Sequence, residues 1–493
     1  MTDERGHLRA VARGSAATLA GAVLSTVAGF GLVLVVTRSV PPDAAGRFFA
    51  ASAVFLVALA AAGLGTDTGL ARFVLRDDRP DAVRALVRIA AVPVLLTACG
   101  LALALAVWWP DTRGLVWALP LAAGSDLCLA ALRAHARFRD TVLVDRIVRP
   151  GMQIVLVVGV IAAGIPAGIA AAWAAGYVVS ALLALRSLRR LLGRRPRSGT
   201  AAATEAVGAR EYWTFTWPRA VARIAQVGVQ RLDIVLVAVL LSPGEAALYT
   251  VATRFVVFGQ LANQAVSSVV QPRFTLILAG PADTAPALVT RVFGVSTCWS
   301  MLLAWPVYLA VAAAPMAYLG WFGASYTTGE AATVALVMAA GMLVAVASGP
   351  VDTLLLMIGR SGRSLVNTLV ALALDLVLCL VLVPRIGIAG AAVAWVVAVV
   401  VRCVLAIVQL RADIGLAPAM GELLLAAALP VACIGVPVAL LAVVVGLSPL
   451  GWLLACAGSG IGYGVVVWRL RIRLSVDVFT AGLRSRRRMA VAA

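Results

Sequence analysis

Residues 371–401 read ALALDLVLCLVLVPRIGIAGAAVAWVVAVVV. Only Asp375 and Arg385 carry charge in this stretch, and Pro384-Arg385-Ile386-Gly387 divides it into two apolar runs. With its flanks, each run reaches the roughly 20 apolar residues that a helix needs to cross a bilayer. A Pro-Gly turn between two such runs reads as a tight hairpin of spanning helices. The rest of the chain repeats the pattern. Of 493 residues, 62% are hydrophobic and 13% charged, with a mean hydropathy of +1.01. A globular domain in water has about 25% charged residues, so a water-soluble fold is excluded.

Working outward from the hairpin gives an all-α polytopic membrane protein with about fourteen spanning helices. The first six segments centre near Phe30, Leu56, Leu101, Ala123, Val157 and Trp173. The next six centre near Gln230, Leu261, Leu302, Gly341, Val377 and Val397, and two more near Cys433 and Cys456. Every basic residue is arginine, because the sequence contains no lysine. Schiff-base chemistry is therefore excluded, while permanently charged forks for carboxylate or phosphate are plentiful. With both termini in the cytoplasm, about 33 arginines fall on the cytosolic side. Arg38, Arg47, Arg113 and Arg385 fall outside, which is the asymmetry that sets membrane orientation. The net charge of +19 is thus mostly spent on topology, and no nucleic-acid partner is expected. Arg5, Arg9 and Arg13 precede an apolar run too long for a signal-peptide core, so the first segment reads as an uncleaved helix.

The organisation expected is an N-lobe at 1–185, an Arg-rich cytoplasmic linker at 186–211, a C-lobe at 212–411, and two further helices with a basic tail at 412–493. Tyr212, Trp213, Phe215 and Trp217 suit the headgroup layer at the start of segment 7. The basic tail at 484–488 suits anchoring to membrane lipids. Laying segments 1 and 2 on segments 7 and 8 at an offset of about 201 positions matches Pro42 with Pro243, Ala45 with Ala246, Phe48 with Tyr249, and Arg72-Phe73 with Arg273-Phe274. A weaker echo aligns Gly168 with Gly390, Trp173 with Trp395 and Gln153 with Asp375. An even number of helices separates the copies, so the two lobes form a parallel repeat, an arrangement used for alternating access.

Polar residues inside the membrane carry the functional signal, since a mid-membrane arginine costs about 2.5–3.5 kcal/mol even on lenient scales. In segment 7, Arg219, Arg223, Gln226, Gln230 and Asp233 fall on one face, within about 80° of arc. Arg231 lies about 160° from Asp233 and needs another partner. Segment 8 adds Arg254, Gln260 and Gln264. These side chains are read as a shared anion-binding cavity. Asp126, Asp233 and Asp375 are the candidates for proton or sodium coupling, since buried carboxylates can carry such ions. No cofactor is expected. The cysteines, Cys99, Cys128, Cys298, Cys379, Cys403, Cys433 and Cys456, occur singly and read as small buried thiols. His7 and His135 lack ligand-spaced partners. Phosphate-loop and zinc-protease spacings are missing, and no enzyme is expected.

Two stretches are similar to a known family. Gly63-Leu64-Gly65 leading to Arg72-Phe73, after Pro41-Pro42 and Gly46, resembles the opening of the Wzx-type polysaccharide flippases of the multidrug/oligosaccharidyl-lipid/polysaccharide exporter (MOP) superfamily. Leu374-Asp375-Leu376-Val377-Leu378, Pro384-Arg385-Ile386-Gly387 and Gly390-Ala391-Ala392-Val393-Ala394-Trp395 resemble its helices 11 and 12, with Asp375 where the family often has Asn. The resemblance implies a multi-pass protein of a bacterial plasma membrane that moves a lipid-linked oligosaccharide, on a polyprenyl diphosphate, from the inner to the outer leaflet. It also implies glycan polymerases or glycosyltransferases as partners. Two alternatives stay open, an ion-coupled antiporter of small organic cations and a non-transporting scaffold of a glycan assembly complex.

Overall fold

The computed structural model describes residues 2–74, 76, 80–135, 137–193, 207–281, 285–417, 420–472 and 474. Among them every regular element is helical. The polypeptide forms two compact units, Met1–Val235 and Leu236–Ala493. The division falls inside the seventh expected span, so residues 212–235, assigned from sequence to the C-lobe, cluster with the first unit. Residues 186–192 of the expected linker extend a helix that Gly193 caps; residues 194–206 and the basic tail at 484–488 lie outside the described residues.

The first unit contains α1 (Thr2–Ser39), α2 (Pro42–Ala62), α3 (Thr66–Val74), α4 (Pro80–Trp108), α5 (Arg113–Val116), α6 (Leu119–Ala134), α7 (Phe138–Thr141), α8 (Arg149–Ala162) and α9 (Ile169–Leu192). It ends in most of α10 (Ala209–Leu240). A π-helical turn, Val142–Val148, joins α7 to α8. Pro42 opens α2, where its missing N–H costs nothing. Gly63-Leu64-Gly65 then breaks the helix before α3 resumes, with positive φ at Leu64 (48°) and Gly65 (71°). A core of Leu70, Phe73, Leu86, Leu129, Leu132, Leu188 and Tyr212 locks α3, α4, α6, α9 and α10 together.

The second unit continues through α11 (Pro243–Thr253), α12 (Val256–Leu278), α13 (Ala285–Ala313), α14 (Pro315–Leu319), α15 (Gly329–Ala347) and α16 (Val351–Met357). It is completed by α17 (Ser361–Ile386), α18 (Ile388–Ile414), α19 (Met420–Pro430), α20 (Val436–Val445) and α21 (Pro449–Arg469). Pro243 opens α11 as Pro42 opens α2, here with Ser242 accepting from the Glu245 N–H. The hairpin at 371–401 is tighter than a loop. α17 runs through Pro384 to Ile386, Gly387 alone reverses the chain at φ 64°, and α18 starts at Ile388. A Cβ on Gly390 would stand 2.6 Å from the Leu382 carbonyl, so only glycine lets the two backbones meet there. Further along, Asn367 and Gln409 exchange amide hydrogen bonds of 3.0 and 2.9 Å, and Asp413 accepts from Arg360 and Arg363. Both pairings staple α17 to α18. Arg402 on α18 faces Asp352 on α16 at 3.7 Å.

Among the described residues, ten helices are long and apolar enough to cross a membrane, eleven if the bent pair Pro110–Val116 and Leu119–Ala134 is one span. About fourteen were expected. The segments around Val157, Gln230 and Leu261 form helix but are not among the ten. The first follows a π turn, and the other two carry the Arg and Gln stripes of α10 and α12. The helices that fall short as lipid-facing cylinders are therefore those with polar side chains to place elsewhere.

Candidate functional site

Four elements of the first unit bring charge to one cavity of about 570 Å³. The broken helix supplies Gly63, Gly65, Thr66 and Asp67, and α6 supplies Asp126 and Arg133. The π turn and the start of α8 supply Asp145, Arg146 and Arg149, and α10 supplies Arg223, Gln230 and Arg231. Five arginines against three aspartates leave a surplus of two positive charges.

These groups are not equivalent. Arg149 is fixed: it donates to the Asp145 carboxylate at 2.7 Å and to the Tyr177 hydroxyl at 3.0 Å. Tyr177 is itself held in an aromatic cluster with Phe55 and Trp173, at centroid distances of 5.4 and 5.5 Å. Arg146 shares the same Asp145 at 3.3 Å. The wide π turn lets the consecutive residues Asp145 and Arg146 both reach the cavity, and such turns recur at functional sites. Asp67 is occupied by its own backbone, accepting from the Thr68 N–H at 2.8 Å. By contrast, Arg133, Arg223 and Arg231 make no hydrogen bond or ion pair with any described residue. Asp126 likewise has no such partner, although Asp145, Arg149, Arg133 and Arg223 all lie within electrostatic reach of it. A guanidinium without a partner in a membrane protein needs water or an anion, and three of them open on this cavity.

The face that α10 presents to the cavity comprises Arg223, Val227, Gln230 and Arg231. At 100° per residue it is rotated by about 60° from the stripe read in the sequence. Arg231 therefore enters the cavity, which answers its need for a partner, while Arg219, Gln226 and Asp233 do not line it. Arg219 sits 5.8 Å from the Phe215 ring. Asp233 is buried and accepts from the Ile234 N–H at 2.8 Å. Arg254, Gln260 and Gln264 belong to the second unit and are not part of this lining. Asp375 is also in the second unit, fully buried on α17, where the Cys379 thiol approaches it at 3.8 Å. Of the three proposed coupling carboxylates, only Asp126 lines the cavity. Arg133, Asp145, Arg146 and Arg149 were missed because the positive-inside reading credits them to cytosolic topology. Asp145 four residues before Arg149 is the signal that could have singled them out, since that spacing makes an ion pair on one helix face.

The helix break is held in place by glycine. A Cβ on Gly65 would lie 2.6 Å from the Ala220 nitrogen and 2.8 Å from the Thr216 oxygen, and one on Gly69 2.5 Å from the Thr216 hydroxyl. These two glycines, four apart, let α3 lie on the backbone of α10, as small-xxx-small pairs do in membranes. Gly65→Ala is expected to cost about 2–4 kcal/mol through backbone overlap and strain at positive φ. Gly63→Ala, at φ −66° and with 3.5 Å of room, should be nearly neutral. Thermal unfolding of the two variants, followed by fluorescence-detected size exclusion, checks the contrast.

No sequence-family model matches the chain, and no curated protein matches it. Solved structures do. The lipid II flippase MurJ in an inward closed conformation superposes with a TM-score of 0.70 at 10% identity, covering 93% of this chain and 99% of its own. An inward-facing multidrug resistance MATE family transporter of the MOP superfamily gives 0.55 at 14% identity, covering 83% and 94%. A MOP superfamily transporter from Pyrococcus furiosus, described as having a binding pocket of reverse polarity, gives 0.54 at 16%, covering 82% and 95%. The chain shares the fold of these transporters, and its many long apolar helices make it a multi-pass membrane protein.

Proposed function

We propose that the protein is a flippase that carries a lipid-linked oligosaccharide, held by its diphosphate, from the inner to the outer leaflet of a bacterial plasma membrane. The observation that supports this reading is the surplus of two positive charges in the cavity, with Arg133, Arg223 and Arg231 making no hydrogen bond or ion pair with a described residue. Guanidinium forks make their strongest hydrogen bonds to phosphate and carboxylate oxygens. An organic cation would instead be repelled, which weighs against the antiporter. A scaffold has no use for a surplus of charge gathered in one cavity. The apolar tail stays in the lipid while the headgroup crosses through the cavity.

The test is reconstitution of the full chain into vesicles holding a fluorescent prenyl-diphospho-oligosaccharide in one leaflet. A membrane-impermeant quencher then reads transfer to the other leaflet. Faster transfer than in protein-free vesicles is expected. Rates equal to those vesicles, in protein that remains folded, would refute the reading.

A further inference from the structure

We propose that Asp126 selects substrate by charge, admitting a diphosphate esterified at both ends and disfavouring the bare carrier diphosphate. The inference rests on the lipid-linked diphosphate reading and names which form of that lipid the cavity accepts. A diphosphate bearing lipid on one phosphorus and sugar on the other has one ionised oxygen on each, two charges in all. A prenyl diphosphate with a free terminal phosphate carries up to a third, because the second ionisation of a phosphate monoester lies near pH 6.

The cavity is matched to the first of these, with five arginines and three aspartates. Two of the aspartates are already committed, Asp145 to Arg149 and Arg146 and Asp67 to its own backbone. Asp126 is the remaining one. Its carboxylate on α6 lines the same space as Arg223 and Arg231 and has no hydrogen-bond or ion-pair partner among the described residues. Arg133 and Arg149 lie near it, and so does the like charge of Asp145. A structural aspartate would be expected to bond with one of these arginines. An unpaired carboxylate instead lowers the field that the arginines offer an anion. A doubly charged headgroup neutralises what remains, and a third charge meets Asp126 as a repelling neighbour. A flippase built this way loads the sugar-bearing lipid and leaves the sugar-free carrier behind, although both present the same tail and the same two phosphorus atoms.

The experiment measures binding of two probes to the full chain in detergent, geranyl diphosphate and geranyl diphospho-N-acetylglucosamine. The wild-type protein is expected to prefer the sugar-capped probe by ~10-fold, the scale set by one like-charge contact in a partly wet cavity. Asp126→Asn should bring the two to near parity by gaining affinity for the bare diphosphate, and Asp126→Glu should keep the preference. Wild-type binding of both probes with equal affinity would overturn the inference while leaving the flippase reading in place, and this arm needs no variant. An unchanged preference in Asp126→Asn, or loss of both probes, would also overturn it. Wild-type binding of neither probe would instead remove the flippase reading on which it rests.

Discussion

Vesicles containing the Arg223→Gln, Arg231→Gln double variant are expected to flip the labelled lipid no faster than protein-free vesicles, while the protein inserts and unfolds at nearly the wild-type temperature. The stability half of this expectation comes from geometry. Neither guanidinium has a hydrogen bond or ion pair with a described residue, so glutamine strands no partner, and changes of that kind are usually within about 0.5 kcal/mol. The transport half comes from charge. Removing two arginines cancels the surplus of two that the cavity offers an anion. Hydrogen bonds to charged groups contribute about 1.5–3 kcal/mol each, so each single variant should lose about 10–100-fold in binding. Lysine at either position should restore part of that loss, because it returns the charge without the planar fork. Flipping at the wild-type rate by the double variant would place the substrate path elsewhere.

The membrane class and the hairpin at 371–401 were legible because hydrophobic runs and a Pro-Gly break report directly on spanning helices. α17 and α18 fall where those runs were drawn, with Gly387 as the only reversal. Among the described residues ten or eleven of the roughly fourteen expected spans are long and apolar enough to stand out as such, and the polar helices α10 and α12 are not among them. At the site, the arginines of α10 were legible as charges that topology could not absorb. Asp126 on α6 was legible as an intramembrane carboxylate, but Arg133, Asp145, Arg146 and Arg149 beside it were not, because a sequence rule that assigns arginine to the cytosol has no means of seeing Arg149 folded onto Tyr177. The difference between the polar stripe of α10 and the face that lines the cavity has a related cause. A wheel of polar residues puts Asp233 with Arg223, but Asp233 satisfies itself against the Ile234 N–H, so burial, and not cavity lining, is where its polarity is spent.

The second large effect separates scaffold from ligand contact. Asp145→Ala is expected to destabilise the first unit by about 3 kcal/mol, because it takes from the mostly buried Arg149 guanidinium its ion-pair partner and leaves it the Tyr177 hydroxyl, the residue 145 carbonyl and the more distant charge of Asp126. The Arg149 Nε already lacks a partner, so the guanidinium has little bonding left to fall back on. Adding Arg149→Met to Asp145→Ala should restore most of that stability, since an ion pair replaced by an apolar side chain of similar volume is often neutral. The double variant has a further property that neither single change shares: it removes one positive and one negative charge, so the cavity keeps its surplus of two. If Arg149 serves to hold α8 against α9 and Arg223 with Arg231 hold the anion, the double variant should fold and still flip within about tenfold of wild type, the equivalent of about 1.4 kcal/mol. Unfolding temperature and flipping rate, measured on the same preparations, decide the matter. A double variant that is stable yet inactive would make Arg149 a direct contact of the diphosphate, and the fixed guanidinium, more than the two unpaired ones, would then be where the headgroup docks.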